Sequence, residues 1–124
     1  MSIITGYAGT YESAQSFGIY RFTVDADTGA LTEPKLFYPA PNAKYVSLQN
    51  GKIAAPVERN KRAGICLVDL SAKEQASEIF CEDQTSCYVT QDGPRIYTAN
   101  YHEGTVMVYE EQEAPDEGLR LVKR

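Results

Sequence analysis

Thr98-Ala99-Asn100-Tyr101, followed by Gly104-Thr105-Val106-Met107-Val108, is the third occurrence of one pattern in this chain. The second reads Ala55-Pro56-Val57-Glu58, then Gly64-Ile65-Cys66-Leu67-Val68. The first reads Ala8-Gly9-Thr10-Tyr11, then Gly18-Ile19-Tyr20-Arg21-Phe22. Each is a strand-like run, a loop, a glycine and a second strand-like run. Tyr11, Glu58 and Tyr101 occupy equivalent places, 47 and then 43 residues apart.

The intervening segments are strands too. Leu31–Tyr38 follows the turn signal Asp27-Thr28-Gly29-Ala30, and Tyr45–Leu48 ends at Asn50-Gly51. Ala76–Cys81 and Cys87–Thr90 complete the second unit, which closes at Asp92-Gly93. Arg95–Ala99, Thr105–Glu110 and Leu119–Val122 form the third, with a turn at Asp116-Glu117-Gly118. A period of about 40–50 residues built only of strands is that of a β-propeller blade. The expectation is therefore an all-β chain with two complete blades and most of a third, divided at 1–51, 52–94 and 95–124. Propellers have about 4–8 blades, so the chain is expected to be the front part of a larger protein. In the second strands, Tyr20, Cys66 and Val106 are expected on one face, as are Phe22, Val68 and Val108. A blade cannot bury both faces alone. The open edge and face should pair with the remainder of a propeller or drive self-association.

Composition narrows the partners. Net charge is −5, with no basic stripe, which argues against nucleic acid. Glu110, Glu111, Glu113, Asp116 and Glu117 read as a solvated hairpin loop. No run approaches the ~18 apolar residues of a membrane span, and the N-terminus has no signal-peptide pattern. Cys66, Cys81 and Cys87 are odd in number and lack a CxxC spacing, which points to free thiols in a reducing cytoplasm. Asp25-Ala26-Asp27-Thr28-Gly29 starts like a calcium loop, but its Gly comes one position early and no Glu follows at the right distance. It reads as a hairpin turn, and no metal site is expected.

Gly9-Thr10-Tyr11, Gly18–Phe22 and Asp27-Thr28-Gly29-Ala30-Leu31 resemble the opening of the lactonase family of seven-bladed propellers. That family includes propeller-type 6-phosphogluconolactonases and carboxy-muconate cyclases. The resemblance continues through Cys87-Tyr88-Val89 and Asp92-Gly93. It is most specific at Ile96-Tyr97-Thr98-Ala99-Asn100-Tyr101-His102-Glu103-Gly104-Thr105-Val106. It covers the whole chain and about the first third of such a protein. Ala55-Pro56-Val57-Glu58 departs from it, since the family more often has Asn before the Glu, and Pro56 removes a ladder donor.

The resemblance implies a parent that hydrolyses a sugar lactone such as 6-phosphogluconolactone, a small-molecule substrate, with no cofactor. Most catalytic residues would then lie beyond Arg124, and this chain alone would be inactive. The residues expected just after the innermost strands are Tyr11-Glu12, Glu58-Arg59 and Tyr101-His102. Lactone opening needs a base for water and donors for the carbonyl oxygen, and a phosphate needs cations. Glu58 could be a base or a hydroxyl acceptor, and His102 is a second catalytic candidate. Arg59, with Lys61 or Arg62, could hold phosphate. Asn100 and Tyr101 are candidates for substrate contact. The plain alternatives are a solvated loop at Glu58–Arg62, a backbone-fixing Asn100 and an exposed His102. The rival functions are a non-catalytic binding propeller and an interaction module.

Overall fold

The structure is a computed structural model that describes residues 2–113 and 118–124. It contains eleven strands among those residues and no helix. In chain order they are β1 Ile3–Ala8, β2 Gly18–Asp25, β3 Lys35–Pro39, β4 Ser47–Gln49, β5 Lys52–Arg59, β6 Arg62–Asp69, β7 Ala72–Glu82, β8 Tyr88–Asp92, β9 Arg95–Asn100, β10 Thr105–Glu111 and β11 Leu119–Lys123. They form three antiparallel sheets: β1-β2-β3, β4-β5-β6-β7 and β8-β9-β10-β11. The expected turn at Asp116-Glu117 lies outside the described residues, as do the last two members of the acidic run.

The sheets divide the chain at the links 40–46 and 83–87, not at 51 and 94. The incomplete sheet is the first, not the third. The reason is the pair of tight hairpins. Gln49 pairs with Lys52 across Asn50-Gly51, and Asp92 pairs with Arg95 across Gly93-Pro94. A two-residue hairpin ties its flanking strands to each other, so β4 and β8 open the second and third sheets instead of closing the preceding ones.

The middle sheet is buried on both faces. Ile53, Ala55, Val57, Cys66 and Val68 pack against Ile19, Phe37, Ala40 and Ala43 of the first unit. Ala54, Ile65 and Leu67 pack against Val89, Ile96, Met107 and Tyr109 of the third. This explains the unbroken apolar run from Ile53 to Val57, because a strand covered on both sides needs no polar alternation. Pro56 is tolerated because β4 pairs with β5 only up to Ser47↔Ala54. Ala99, its equivalent by hairpin register, carries an N–H, and there β8 extends to Tyr88↔Ala99.

One expected register is corrected. Cys66 and Val68 do face back toward the first sheet. In the third sheet, however, Met107 and Tyr109 face the second, while Val106 is 60% exposed. Gly104 is not the counterpart of Gly64. It sits in the β9–β10 turn at φ 69°, and β10 begins after it. A shift of one residue turns every side chain of a strand to the other face.

Gly64 lies within β6 and is required by close approach. A Cβ there would sit 1.7 Å from the Ile79 carbonyl oxygen, in the bulged β6–β7 ladder. The same crowding holds at Gly18, where a Cβ would meet the Tyr38 carbonyl oxygen at 2.2 Å. Gly64→Ala should force β6 and β7 apart and destabilise by about 1–3 kcal/mol. Urea denaturation checks this, and an unchanged midpoint would contradict the packing described.

Candidate active site

Antiparallel strands send their connections alternately to two ends of the stack. One end carries the Asn50-Gly51 and Gly93-Pro94 hairpins. The other carries the β1–β2 loop, the Asn60-Lys61 turn, the 101–104 turn and both links between sheets. Glu58, Arg59, Asn100, Tyr101 and His102 all lie at this second end. They end or follow the second strand of their sheets, however, not the innermost. The short strands β4 and β8 touch each other along one edge, while β7 and β11 touch along the opposite one. Blades narrow toward a central channel, and the short β4/β8 edge is the one that fits it.

Asn42, at φ 60°, organises the corner around Glu58. Its Oδ1 accepts the Glu12 N–H at 2.8 Å, and its Nδ2 donates to Glu58 Oε1 at 3.2 Å. The Glu58 N–H donates to the Pro41 carbonyl at 3.0 Å. Glu58 is half-buried, and among the described residues no cation pairs with it. In the same link as Asn42, the Lys44 ammonium lies 5.5 Å from the centre of the Tyr11 ring and forms no ion pair among the described residues.

Arg59 is not free to hold a phosphate. Its Nε and Nη2 donate to the two Glu78 oxygens at 2.8 Å each, and Nη2 also donates to the Pro39 carbonyl at 2.7 Å. Tyr38 donates its hydroxyl to the same carboxylate. The group clamps β3 to β5 and β7. Burial pushes the Glu78 carboxyl up, but the hydrogen bonds from Arg59 and Tyr38 outweigh it and hold the group below the usual carboxylate range. Burial and the bond to Glu78 push the Tyr38 hydroxyl the other way, well above its ordinary value. Arg62 donates to the Phe80 carbonyl at 2.8 Å.

Asn100 is buried and fixes backbone. Its Nδ2 donates to the Gln84 carbonyl at 2.7 Å, to Glu103 at 2.8 Å and to Glu82 at 3.2 Å. Glu82 is itself buried and accepts the Tyr109 hydroxyl at 2.7 Å. Burial, then that bond, raises the Tyr109 hydroxyl far above its ordinary range. Tyr101 is 76% exposed and lies against the exposed His102 ring, 4.1 Å between centres. Burial drives the Cys66 thiol up to about 12, so it is an inert core group. The structure thus ties Arg59 and Asn100 into internal hydrogen bonds, and leaves Glu58 half-buried and Tyr101 and His102 exposed. Sequence reasoning missed Asn42 and Lys44. A Pro-Asn chain break was their only signal.

A family model described as Lactonase, 7-bladed beta-propeller, matches residues 5–121. This chain belongs to the lactonase family. Among lactonase relatives, 6-phosphogluconolactonase of Bacillus subtilis is 34% identical over 91% of this chain and 35% of its own length. An uncharacterized protein of Staphylococcus saprophyticus is 33% identical over 96% of this chain and 36% of its own. The crystal structure of a Lactobacillus plantarum protein superposes with a TM-score of 0.85 at 25% identity, covering 98% of this chain and 37% of that one. The chain therefore spans a little over a third of the lactonase relatives it matches.

The Arg59–Glu78–Tyr38 clamp sets a pH dependence. Because the folded Glu78 carboxyl is held low, its stabilisation is complete above the ordinary carboxylate value of about 4.3. It is lost as pH falls through the lowered value. Glu78→Gln should cost about 1–3 kcal/mol at neutral pH, with the difference from wild type shrinking in acid. Denaturation midpoints at a series of pH values check this. A cost that is flat with pH would contradict the ionised clamp.

Proposed function

We propose that these blades belong to a seven-bladed propeller that hydrolyses a sugar lactone, with 6-phosphogluconolactone as the leading substrate. The observation that carries this reading is the relation to the Bacillus subtilis 6-phosphogluconolactonase across nearly the whole chain. The geometry supports it through Glu58, an ionisable oxygen acceptor at the loop end. Asn42 donates to its carboxylate, and among the described residues no cation pairs with it.

In this reading Glu58 takes a proton from water as the water adds to the lactone carbonyl carbon. The resulting tetrahedral oxyanion collapses, the ring carbon–oxygen bond breaks, and the leaving alkoxide takes up a proton. The product is an open-chain acid, which for that substrate is an intermediate of the oxidative pentose-phosphate route. Lys44 replaces Arg59 as the cation available to an anionic substrate at this end. The free thiols Cys66, Cys81 and Cys87 fit a reducing, cytoplasmic setting. No helix among the described residues is long and apolar enough to cross a membrane. The remaining blades would cover the open faces. Val106 is exposed at the position where Ile65, covered by a following sheet, is fully buried.

The test is 6-phosphogluconolactone hydrolysis by the complete propeller that carries these blades. Glu58→Gln should lower kcat by about 10²-fold or more, and His102→Ala should leave the rate near wild type. No lactone hydrolysis above the uncatalysed rate would overturn the reading. A silent Glu58→Gln would remove Glu58 from it.

A further inference from the structure

Tyr7, Arg21, Lys35 and Phe37 share one face of the first sheet. Tyr7 pairs with Arg21, and Arg21 pairs with Lys35. Strand alternation puts Phe37 on the Lys35 side, and its ring meets that of Tyr7 at 5.4 Å between centres. Tyr7 and Phe37 pack against the second sheet. Arg21 and Lys35 therefore face that sheet side by side, in a chain whose net charge is −5. Direct partners in an antiparallel ladder hold their Cβ atoms about 4.5–5.5 Å apart, and like charges there are destabilising. The repeat shows that the position does not require charge. Gly18 and Gly64 are matching close-approach glycines, so Arg21 corresponds to Leu67. Arg21 pairs with Lys35 where Leu67 pairs with Ser77. Leu67 is buried against the third sheet.

A groove of about 660 Å³ lies between the first two sheets here, and Lys73 of β7 lines it with Arg21 and Lys35. The Lys73 ammonium donates to the Phe37 carbonyl at 3.1 Å and stands 5.2 Å from the centre of the Phe37 ring. That bond uses one of its three donors. Glu33 and Glu74 also line the groove. Among the described residues neither forms an ion pair with Arg21, Lys35 or Lys73. The matching groove between the second and third sheets is different. Its lining cation, Lys52, is already paired with Glu111. The cationic groove opens beside the β6–β7 turn, where the Leu70 N–H meets the Gly51 carbonyl at 3.0 Å. It lies toward the hairpin end, whereas Glu58 is at the loop end.

We propose that Arg21, Lys35 and Lys73 form a binding site for a phosphate group, separate from the Glu58 end and independent of the hydrolase reading. A phosphate group carries close to two negative charges at neutral pH. Seated between the sheets, it converts the repulsion of Arg21 and Lys35 into two charge-assisted contacts. The planar fork of Arg21 suits two of its oxygens at once, and the lysines act as point charges on the others. Lys73, already fixed over Phe37, closes the groove from the second sheet. Both sheets that build the site are present in this chain, so it needs no further blade.

The test is phosphorus NMR of inorganic phosphate and of glucose 6-phosphate titrated into the complete protein, with chloride holding the ionic strength constant. Wild type should broaden the signals saturably. Tighter binding of glucose 6-phosphate assigns the site to a phosphate monoester, and tighter binding of inorganic phosphate assigns it to the free ion. Arg21→Gln combined with Lys35→Gln should weaken binding about tenfold or more. The denaturation midpoint of that variant in chloride should not fall. Lys35→Glu gives Arg21 a partner across the ladder, so it should raise the midpoint in chloride and abolish binding. Phosphate should raise the midpoint of wild type and leave that of Lys35→Glu unchanged. Absence of saturable broadening in wild type would overturn the site. Phosphate binding of undiminished strength in the double variant would overturn it too. Loss of binding in Lys44→Gln instead would seat the phosphate at the loop end and reject the groove. Should the double variant not fold, Lys73→Gln and Lys35→Glu decide the matter by the same titration.

Discussion

Burial of the middle sheet on both faces is the constraint from which the rest follows. Each fully buried Val, Leu or Ile contributes roughly 1.5–3 kcal/mol relative to exposure. The strands β5 and β6 collect such residues on both sides. Neither face can be buried by the sheet itself, so the first and third units must stack against it. That stacking fixes where β4 and β8 meet, and hence where the loop end forms. Within the sheet, the closely approached β6–β7 ladder leaves no room for a side chain at Gly64.

Stacked sheets need irregular links between them, and the polar groups of those links need partners. The end of β3 and the links 40–46 and 83–87 take several partners, side-chain and backbone, from the neighbouring hairpins. Arg59 reaches the Pro39 carbonyl, the Glu58 N–H reaches Pro41, and Asn100 reaches the Gln84 carbonyl. Most polar residues at this end therefore hold the loops in place. Those left over include Glu58, Lys44 and the exposed Tyr11 and Tyr101. This division separates scaffold from site: a buried group with several partners is rigid structure, whereas a half-exposed carboxylate with one neutral donor can still accept a proton.

The sequence pattern was sufficient for the strands because period-two alternation and turn residues are local signals. It was enough for the all-β class as well, since the repeat supplies the stacking. What it could not give was the grouping of strands, because the hairpins at Asn50-Gly51 and Gly93-Pro94 look the same whether they join sheets or lie within one. The glycine alignment failed at Gly104 for a related reason. A glycine needed for a turn and one needed for close approach read alike. Glu58, the proposed base, was legible as a carboxylate at the end of a strand. The diversion of Arg59 was not, because Glu78 is 19 residues away and meets it only through the β6–β7 pairing.

In the proposed enzyme, lactone chemistry belongs to the loop end that carries Glu58, not to the opposite hairpin end. The most direct measurement is a crystal structure of the complete propeller with 6-phosphogluconate bound. Density for the acid is expected beside Glu58 and Asn42. Density at the Asn50-Gly51 and Gly93-Pro94 end, with the Glu58 end empty, would contradict it.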